Sequence, residues 1–132
     1  MFASIRKNRS PRILVVDDNV AAAQTMAMLL SMNGYDVSVA EDGRTALGKN
    51  RELQPDVVLL DVGLPDMSGH EVARQMREGA ALKVPVIVAV TGWDRTDMHP
   101  AGSGSDCDEF DFFLTKPVNY DDLDKLLREG KD

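Results

Sequence analysis

The sequence predicts an α/β protein, a three-layer sandwich in which a doubly wound, five-stranded parallel sheet lies between two layers of helices. Short β-branched runs alternate with amphipathic stretches along the chain, and the strand-like run at residues 57–60 is apolar throughout, as in strands covered on both faces. Because crossovers between parallel strands are right-handed, helices are expected on both faces of the sheet. The length of 132 residues fits one compact domain.

Five short apolar runs, bounded by charged or turn-forming residues, are predicted as strands. They are residues 13–16, 35–40, 57–60, 84–90 and 112–115. After the third strand, Gly63, Pro65 and Asp66 predict a turn. Binding sites in open parallel sheets lie at the carboxyl ends of the strands, near a reversal of strand order. Functional side chains are therefore expected at that edge.

Capping residues and apolar spacing predict where the helices begin and which face they bury. The predicted N-caps are Asn19, Asp42, Ser68 and Asn119. Ser68 and Glu71 have the spacing of a capping box, and Gly34 and Pro55 end the first two helices. The predicted inward residues are Ala23, Met26 and Leu30 in the first helix, Val72 and Met76 in the third, and Leu123, Leu126 and Leu127 in the last.

The crossover between the fourth and fifth strands departs from this pattern. A helix is expected there, yet residues 98–106 contain Pro100 and two Gly–Ser steps. Proline and glycine are poor helix formers. We therefore predict a fourth helix that is irregular or shortened.

Charge is distributed unevenly along the chain. The net charge is −7, yet Arg6, Lys7, Arg9 and Arg12 make the first twelve residues basic. Residues 1–11 are predicted to be a basic, solvated N-terminal tail, and residues 12–130 the folded domain. The acidic body disfavours direct nucleic-acid binding by this domain, because phosphate backbones are bound by Lys and Arg.

Composition favours a cytoplasmic protein without membrane association. Cys107 is the single cysteine, which excludes an internal disulfide and favours a reducing compartment. The longest apolar run, residues 84–90, is too short to span a bilayer. No apolar stretch follows the basic N-terminal residues, so a secretory signal is not expected.

Five polar side chains are predicted to converge at the carboxyl edge of the sheet. Asp17 and Asp18 follow the first strand, Asp61 the third, Thr91 the fourth and Lys116 the fifth. Taken singly, each is an ordinary residue after a strand. As a set, three carboxylates would repel one another and resist ionisation unless a cation lies among them.

Magnesium is the cation expected, with Mn²⁺ as an alternative. The available ligands are hard oxygens, and His70, His99 and Cys107 form no evident cluster of the kind that binds zinc. Magnesium takes only one or two protein carboxylates directly, which leaves room for a phosphoryl oxygen. A carboxylate beside such an ion can act as a nucleophile and form an aspartyl phosphate.

Four segments together resemble the signature segments of bacterial response-regulator receiver domains. They are VVDDN at residues 15–19, LLDVGLPDMSG at 59–69, VTG at 90–92 and LTKPV at 114–118. The resemblance covers about residues 11–130, and four motifs in this order are highly specific. It implies a flavodoxin-like sheet with strand order 2-1-3-4-5.

The same resemblance implies a role for each acidic residue. Asp61 resembles the family's phosphoacceptor. Asp18 would bind the metal directly, and Asp17 mostly through a metal-bound water. The backbone carbonyl of Gly63 would complete the protein ligands together with Asp61.

The resemblance also implies how a signal leaves the site. Thr91 and Lys116 match the hydroxyl and the lysine that contact the phosphoryl group, and Phe113 matches an aromatic residue that moves with the threonine, with ordinary core packing as the alternative. The Lys116–Pro117 bond is similar to one that is usually cis in receivers. The family signals through the face formed by the fourth helix, fifth strand and fifth helix. We therefore hypothesise that ordering of the irregular fourth helix is coupled to phosphorylation, and the same face is a candidate homodimer interface.

The predicted function is a phosphorylation-dependent signalling switch that accepts a phosphoryl group onto Asp61 in a Mg²⁺-dependent reaction. The donor would be a histidine kinase or histidine phosphotransfer protein, and the downstream partner a protein that the sequence leaves open. No enzyme activity is expected beyond the domain's own phosphotransfer and dephosphorylation.

Two other classes of protein remain as alternatives. One is a phosphorylation-independent interaction module, and the other is a phosphatase of the haloacid dehalogenase type. The latter usually has an acidic residue two positions after its nucleophile, where this chain has Gly63. Both a stand-alone regulator and a piece of a hybrid kinase fit the sequence.

Overall fold

The computed structural model describes residues 10–79, 84–92, 110–116 and 118–129. The strands are β1 (Arg12–Val16), β2 (Asp36–Ala40), β3 (Val57–Asp61), β4 (Val86–Thr91) and β5 (Phe112–Thr115). The helices are α1 (Val20–Met32), α2 (Gly43–Leu53), α3 (Gly69–Glu78) and α4 (Tyr120–Glu129). The predicted irregular helix between β4 and β5 lies outside the described residues, so α4 denotes the helix that follows β5.

The five strands form one parallel sheet in the order β2-β1-β3-β4-β5. This is the order expected of a doubly wound, flavodoxin-like sandwich, and the predicted fold class is confirmed. The N–H of Asp36 donates to the carbonyl of Pro11 at 3.0 Å, so main-chain pairing begins just before β1. Among the helices in the described part of the chain, none has the length and apolar composition needed to cross a bilayer.

The strand boundaries differ from the prediction mainly at β4. The strand was expected from residue 84 but begins at Val86, because Pro85 has no N–H to donate to the ladder. Val84 is 45% exposed, and the N–H of Val86 donates to the carbonyl of Asp56 at 3.0 Å. At the carboxyl end, β3 extends one residue further than predicted and includes Asp61.

The predicted N-caps accept hydrogen bonds from main-chain N–H groups of the first helical turn, at 2.7–3.1 Å. The pairs are Asn19 with Ala22, Asp42 with Thr45, Ser68 with Glu71 and Asn119 with Asp121. In a capping box the Glu71 carboxylate would turn back to the N–H of Ser68. Here it accepts instead from Arg74 and Gln75. Gly34, after α1, has a φ of 94°, a conformation that favours glycine.

Core side chains form two clusters, one on each face of the sheet, because alternate strand residues point in opposite directions. The α1/α4 cluster contains Ala23, Leu30, Leu123 and Leu127 packed on Ile13, Val15, Val57, Leu59, Val88 and Val90. The α2/α3 cluster contains Ala46, Val72, Ala73 and Met76 packed on Leu14, Val16, Val58, Leu60, Ile87 and Ala89. The predicted inward faces are confirmed, with Met26 and Leu126 only partly buried.

Replacement of Leu30 by Ala is expected to lower the free energy of unfolding by about 3 kcal/mol, because the side chain is fully buried in α1 and alanine leaves a cavity. Met32 lies on the same helix and is 75% exposed. Met32→Ala is therefore the matched control, with an expected change below about 0.5 kcal/mol. Urea unfolding followed by circular dichroism measures both. Equal midpoints for the two variants would contradict the packing of α1.

Candidate functional site

The strand order brings the ends of β1 and β3 together at the centre of the sheet. From β1 the chain continues to β2 on one side, and from β3 to β4 on the other, so the order reverses between them. Such a switch point leaves a crevice at the carboxyl ends of the strands. Asp17 follows β1, and Asp61 ends β3. The N–H of Asp17 donates to the carbonyl of Ala40 at 3.0 Å, which continues the sheet up to the crevice.

Three carboxylates meet at the crevice. Asp17, Asp18 and Asp61 each have a carboxylate oxygen within 4.8 Å of the others. Asp17 and Asp61 are 9% and 7% exposed, whereas Asp18 is exposed. Acidic side chains are seldom buried to this degree unless they are paired. The cluster therefore depends on positive charge or hydrogen-bond donors beside it.

Lys116 brings a positive charge to the carboxylates from the end of β5. Its N–H donates to the carbonyl of Thr91 at 2.7 Å, which fixes its backbone. Its Nζ lies 3.1 Å from Asp61 Oδ2 and 3.4 Å from Asp17 Oδ2. Burial lowers the pKa of Lys116, but the hydrogen bond to Asp61 and the charges of both carboxylates outweigh burial and raise the pKa above its usual value. Lys116 is therefore charged at neutral pH.

Main-chain N–H groups hold the second oxygen of each buried carboxylate. Asp17 Oδ1 accepts from the N–H of Asn19 at 2.9 Å, and Asp61 Oδ1 accepts from the N–H of Gly63 at 3.0 Å. Both bonds span two residues, as in Asx turns. Each buried aspartate is thus held between a backbone donor and Lys116, which leaves little freedom to its side chain.

The ionised form of the Asp17 carboxylate is nevertheless electrostatically unfavourable. Burial raises its pKa above the usual value, and the charge and side chain of Asp61 raise it further. The N–H of Asn19 and the charge of Lys116 lower the pKa but do not compensate fully. In the absence of further positive charge, the ionised carboxylate of Asp17 therefore costs stability.

Thr91 and Phe113 lie on neighbouring strands, β4 and β5. Thr91 ends β4 and is 2% exposed, paired in register with Thr115 of β5. Phe113 is partly buried and packs on the α2/α3 cluster. Its ring centroid lies 5.6 Å from that of Phe110, in an edge-to-face arrangement. The two predicted switch residues are thus a core threonine at the crevice and an aromatic residue inside the sandwich.

The structure brings together Asp17, Asp18, Asp61 and Lys116 from three strand ends, as the sequence predicted. Gly63 joins them through its N–H. Pro117 lies outside the described residues, so the expected cis bond is not described. The N–H of Asn19 was not foreseen, although an aspartate two residues before an asparagine that begins a helix is a signal for such a turn.

The donor set fits a hard divalent cation. The grouped ligand atoms are all carboxylate oxygens, the kind that Mg²⁺ prefers. Lys116 is one positive charge against three carboxylates, so one divalent cation would balance the charge that the lysine leaves uncompensated.

Comparison with known proteins gives one consistent family. The response regulator receiver domain family matches residues 13–128. The response regulator MprA of Mycolicibacterium vanbaalenii is 39% identical over 117 residues, which cover 89% of this chain and 48% of that protein. The chain thus spans about half the length of the curated relatives it matches.

Solved structures with this fold lead to the same family. A CheY-like receiver domain from Methylobacillus flagellatus superposes with a TM-score of 0.81 at 33% identity, covering 90% of this chain and 97% of that one. The response regulator TrrA of Thermotoga maritima, solved in complex with Mg²⁺ and BeF, superposes with a TM-score of 0.77 at 30% identity, with coverage of 90% and 97%. The chain belongs to the response regulator receiver domain family of two-component signalling.

Proposed function

We propose that this receiver domain is switched by transfer of a phosphoryl group onto the carboxylate of Asp61. The supporting observation is the setting of that carboxylate, which is 7% exposed, lies next to two further aspartates and is held between Lys116 and the N–H of Gly63. This arrangement fixes the nucleophile and keeps a positive charge beside the position where a phosphoryl group would be attached.

The proposed reaction is a displacement at phosphorus. A carboxylate oxygen of Asp61 attacks the phosphorus atom, the new O–P bond gives an aspartyl phosphate, and the bond from phosphorus to the donor breaks. With a phosphohistidine donor, the P–N bond electrons return to the imidazole, which takes up a proton. Lys116, now bonded to Asp61 Oδ2 at 3.1 Å, would pair with a phosphoryl oxygen, and the Thr91 hydroxyl would donate to another.

Asp17, Asp18, Asp61 and the backbone carbonyl of Gly63 are the proposed holders of Mg²⁺, for which Mn²⁺ would substitute. When bound, the cation would neutralise charge on the phosphoryl oxygens and on the aspartates. The hard oxygen donors and the charge that Lys116 leaves uncompensated support this assignment. Asp17 is also tied to the start of α1 through the N–H of Asn19, which would keep its carboxylate in place.

The switch itself is proposed to run from Thr91 to Phe113. Thr91 would move toward the phosphoryl group, and Phe113 would occupy the space that it leaves. Support comes from the pairing of β4 with β5, which places the two residues on neighbouring strands, and from the partial burial of Phe113. We expect ordering of the β4–β5 crossover to respond to phosphorylation. That crossover, residues 93–109, lies outside the described residues.

Partners and location follow from the family as further proposals. The phosphodonor would be a histidine kinase or histidine phosphotransfer protein, and the output another protein rather than nucleic acid. A homodimer would use the face that includes β5, α4 and the β4–β5 crossover. We place the domain at residues 12–130, with residues 1–11 as a basic tail, in the cytoplasm, and expect it to catalyse only its own phosphotransfer and dephosphorylation.

Incubation with Mg²⁺ and acetyl phosphate is expected to add one phosphoryl group that hydroxylamine removes. Asp61→Asn should abolish this, because an amide is not a nucleophile toward phosphorus. Intact-mass spectrometry measures the adduct. Asp36→Asn is the control, since its side chain is exposed at the far edge of the sheet, and it should be phosphorylated like the wild type.

Each contrary result identifies an alternative. An unmodified wild-type protein would favour the phosphorylation-independent interaction module. Rapid, continuous release of inorganic phosphate from unrelated phosphomonoesters would favour the phosphatase. A phosphoryl group that persists in Asp61→Asn would place the acceptor elsewhere. Chelation of divalent cations should prevent the modification of the wild type, because the aspartates would then keep their mutual repulsion.

Asp17→Asn is expected to raise the thermal midpoint by about 2 °C at neutral pH without divalent cations. The pKa of Asp17 is higher in the folded than in the unfolded chain, so its contribution to stability is present at low pH and lost as pH rises through the folded pKa. Asparagine keeps an oxygen for the N–H of Asn19 and removes the charge. Differential scanning calorimetry measures the shift.

Mg²⁺ should reverse the order of the two thermal midpoints. A ligand stabilises the folded protein more when it binds more tightly, and Asp17→Asn should bind Mg²⁺ less tightly than the wild type. Glu52→Gln is the control, since Glu52 is exposed on α2, and its midpoint should follow the wild type in both conditions. A lower midpoint for Asp17→Asn than for the wild type in chelator would contradict the charge balance described at the crevice.

A further inference from the structure

The loop between β3 and α3 is bound to a helix that is distant in sequence. This acceptor loop, residues 62–68, follows Asp61 directly. The carboxylate of Asp66 accepts from the N–H of Gly43 at 2.8 Å with Oδ1, and from the N–H of Arg44 at 3.0 Å with Oδ2. Gly43 and Arg44 are the first two residues of α2. One exposed side chain therefore ties the loop to the N-terminus of α2, across 23 residues of sequence.

Helix α2 has a cap of its own besides Asp66. Asp42 accepts from the N–H of Thr45 at 2.8 Å through its side chain, and from the N–H of Ala46 at 3.0 Å through its carbonyl. A helix leaves its first N–H groups without partners inside the helix, and Asp66 accepts from those of Gly43, which is buried, and Arg44. The bonds from Asp66 therefore complete the first turn of α2 and, in addition, tie the loop to it.

The contact with α2 is favourable in charge and close in packing. The N–H of Gly43, followed by that of Arg44, lowers the pKa of Asp66 below its usual value, so the carboxylate is ionised when it faces the positive end of the helix. A Cβ atom at Gly43 would overlap Met67 of the loop and lie 2.8 Å from Val72. Only glycine permits this approach of α2 to the acceptor loop.

The start of the acceptor loop is hydrogen-bonded to the sheet, and the first residue of α3 is bonded back to that start. The N–H of Val62 donates to the carbonyl of Val90 at 3.1 Å, and the N–H of Gly69 donates to the carbonyl of Val62 at 3.0 Å. Gly63 is exposed and is held by its N–H bond to Asp61 Oδ1. Between Gly63 and α3, Leu64 and Met67 pack on the α2/α3 cluster, and Asp66 adds hydrogen bonds from the loop to the N-terminus of α2.

We propose that Asp66 is a positioning residue for cation binding, because its bridge to α2 fixes the acceptor loop and, through it, the carbonyl of Gly63 beside Asp61. This inference rests on the proposed function, since it assumes that the aspartates and Gly63 hold Mg²⁺. Residues that orient metal ligands without contacting the metal typically contribute 10- to 100-fold in affinity. Loss of the bridge should therefore weaken Mg²⁺ binding and slow phosphorylation, although Asp66 is neither a proposed Mg²⁺ ligand nor the proposed phosphoacceptor.

The test compares Asp66→Ala with Asp42→Ala, two variants that each remove one carboxylate from the same helix N-terminus. Both lose one negative charge and both weaken α2, but only Asp66→Ala releases the loop. Isothermal titration with Mg²⁺ is expected to give about a tenfold higher Kd for Asp66→Ala, and a Kd within about twofold of wild type for Asp42→Ala. The rate of phosphorylation by acetyl phosphate should follow the Kd.

A second readout requires no metal. In chelator, amide hydrogen exchange of residues 62–67 should be faster in Asp66→Ala and unchanged in Asp42→Ala, while the thermal midpoints of the two variants fall by similar amounts. Asp66→Asn keeps an acceptor for one of the two N–H groups and should give an intermediate Kd. Gly43→Ala disturbs the same contact from the helix side and should also weaken Mg²⁺ binding.

The outcomes separate this inference from the proposed function. Equal Mg²⁺ affinity in wild type and Asp66→Ala, or an equal loss in Asp42→Ala, would overturn the positioning role while leaving phosphorylation of Asp61 intact. A wild type that binds Mg²⁺ without becoming phosphorylated would overturn the proposed function, and the comparison of Kd values would still decide the role of Asp66. If Asp66→Ala fails to fold, Asp66→Asn and Gly43→Ala decide it. A wild type that binds no Mg²⁺ would overturn both.

Discussion

The repulsion among three carboxylates at the end of the central strands is the constraint on which the rest of the molecule depends. Asp17, Asp18 and Asp61 lie within 4.8 Å of one another, and two of them are nearly buried. Lys116 supplies one positive charge against three carboxylates, and the pKa of Asp17 is raised, mainly by burial and further by Asp61. The apolar clusters on both faces of the sheet supply the stability that allows the fold to hold such a group. Added positive charge would lower the free-energy cost of keeping these carboxylates ionised side by side.

The parallel sheet determines why these groups meet. Adjacent strands in register end at the same edge, so residues separated by more than forty positions in sequence are delivered to one crevice. The pairing of Asp61 with Val90, and of Thr91 with Thr115, places Asp61, Thr91 and Lys116 at successive strand ends. A shift of one residue in register would turn each side chain to the opposite face. Core packing on both faces therefore also preserves the geometry of the site.

The sequence predicted the elements whose signals are local. The caps at Asn19, Asp42 and Ser68 depend on residues within one helical turn, and all three form as expected. The apolar run predicts a start of β4 two residues before the observed one, because apolar periodicity does not register the missing N–H of Pro85. The five strand-end residues could be predicted because strand ends can be located from sequence. Asp66 was predicted only as a turn residue, since an exposed aspartate in a turn carries no sign of a partner 23 residues away.

The contacts of Phe113 determine which part of the core a movement at the crevice would reach. Its ring packs on the α2/α3 cluster and touches Phe110 edge to face at 5.6 Å, and Phe110 in turn touches His70 at 5.0 Å. Phe110 is 6% exposed, so it has no solvent space into which to move independently. If Phe113 moves as proposed, Phe110 and, through His70, the first turn of α3 are the contacts that the movement would disturb; α3 is the helix into which the acceptor loop leads. The acceptor loop and the aromatic contacts thus reach the same end of α3, so the proposed cation binding and the proposed core rearrangement would act on one element.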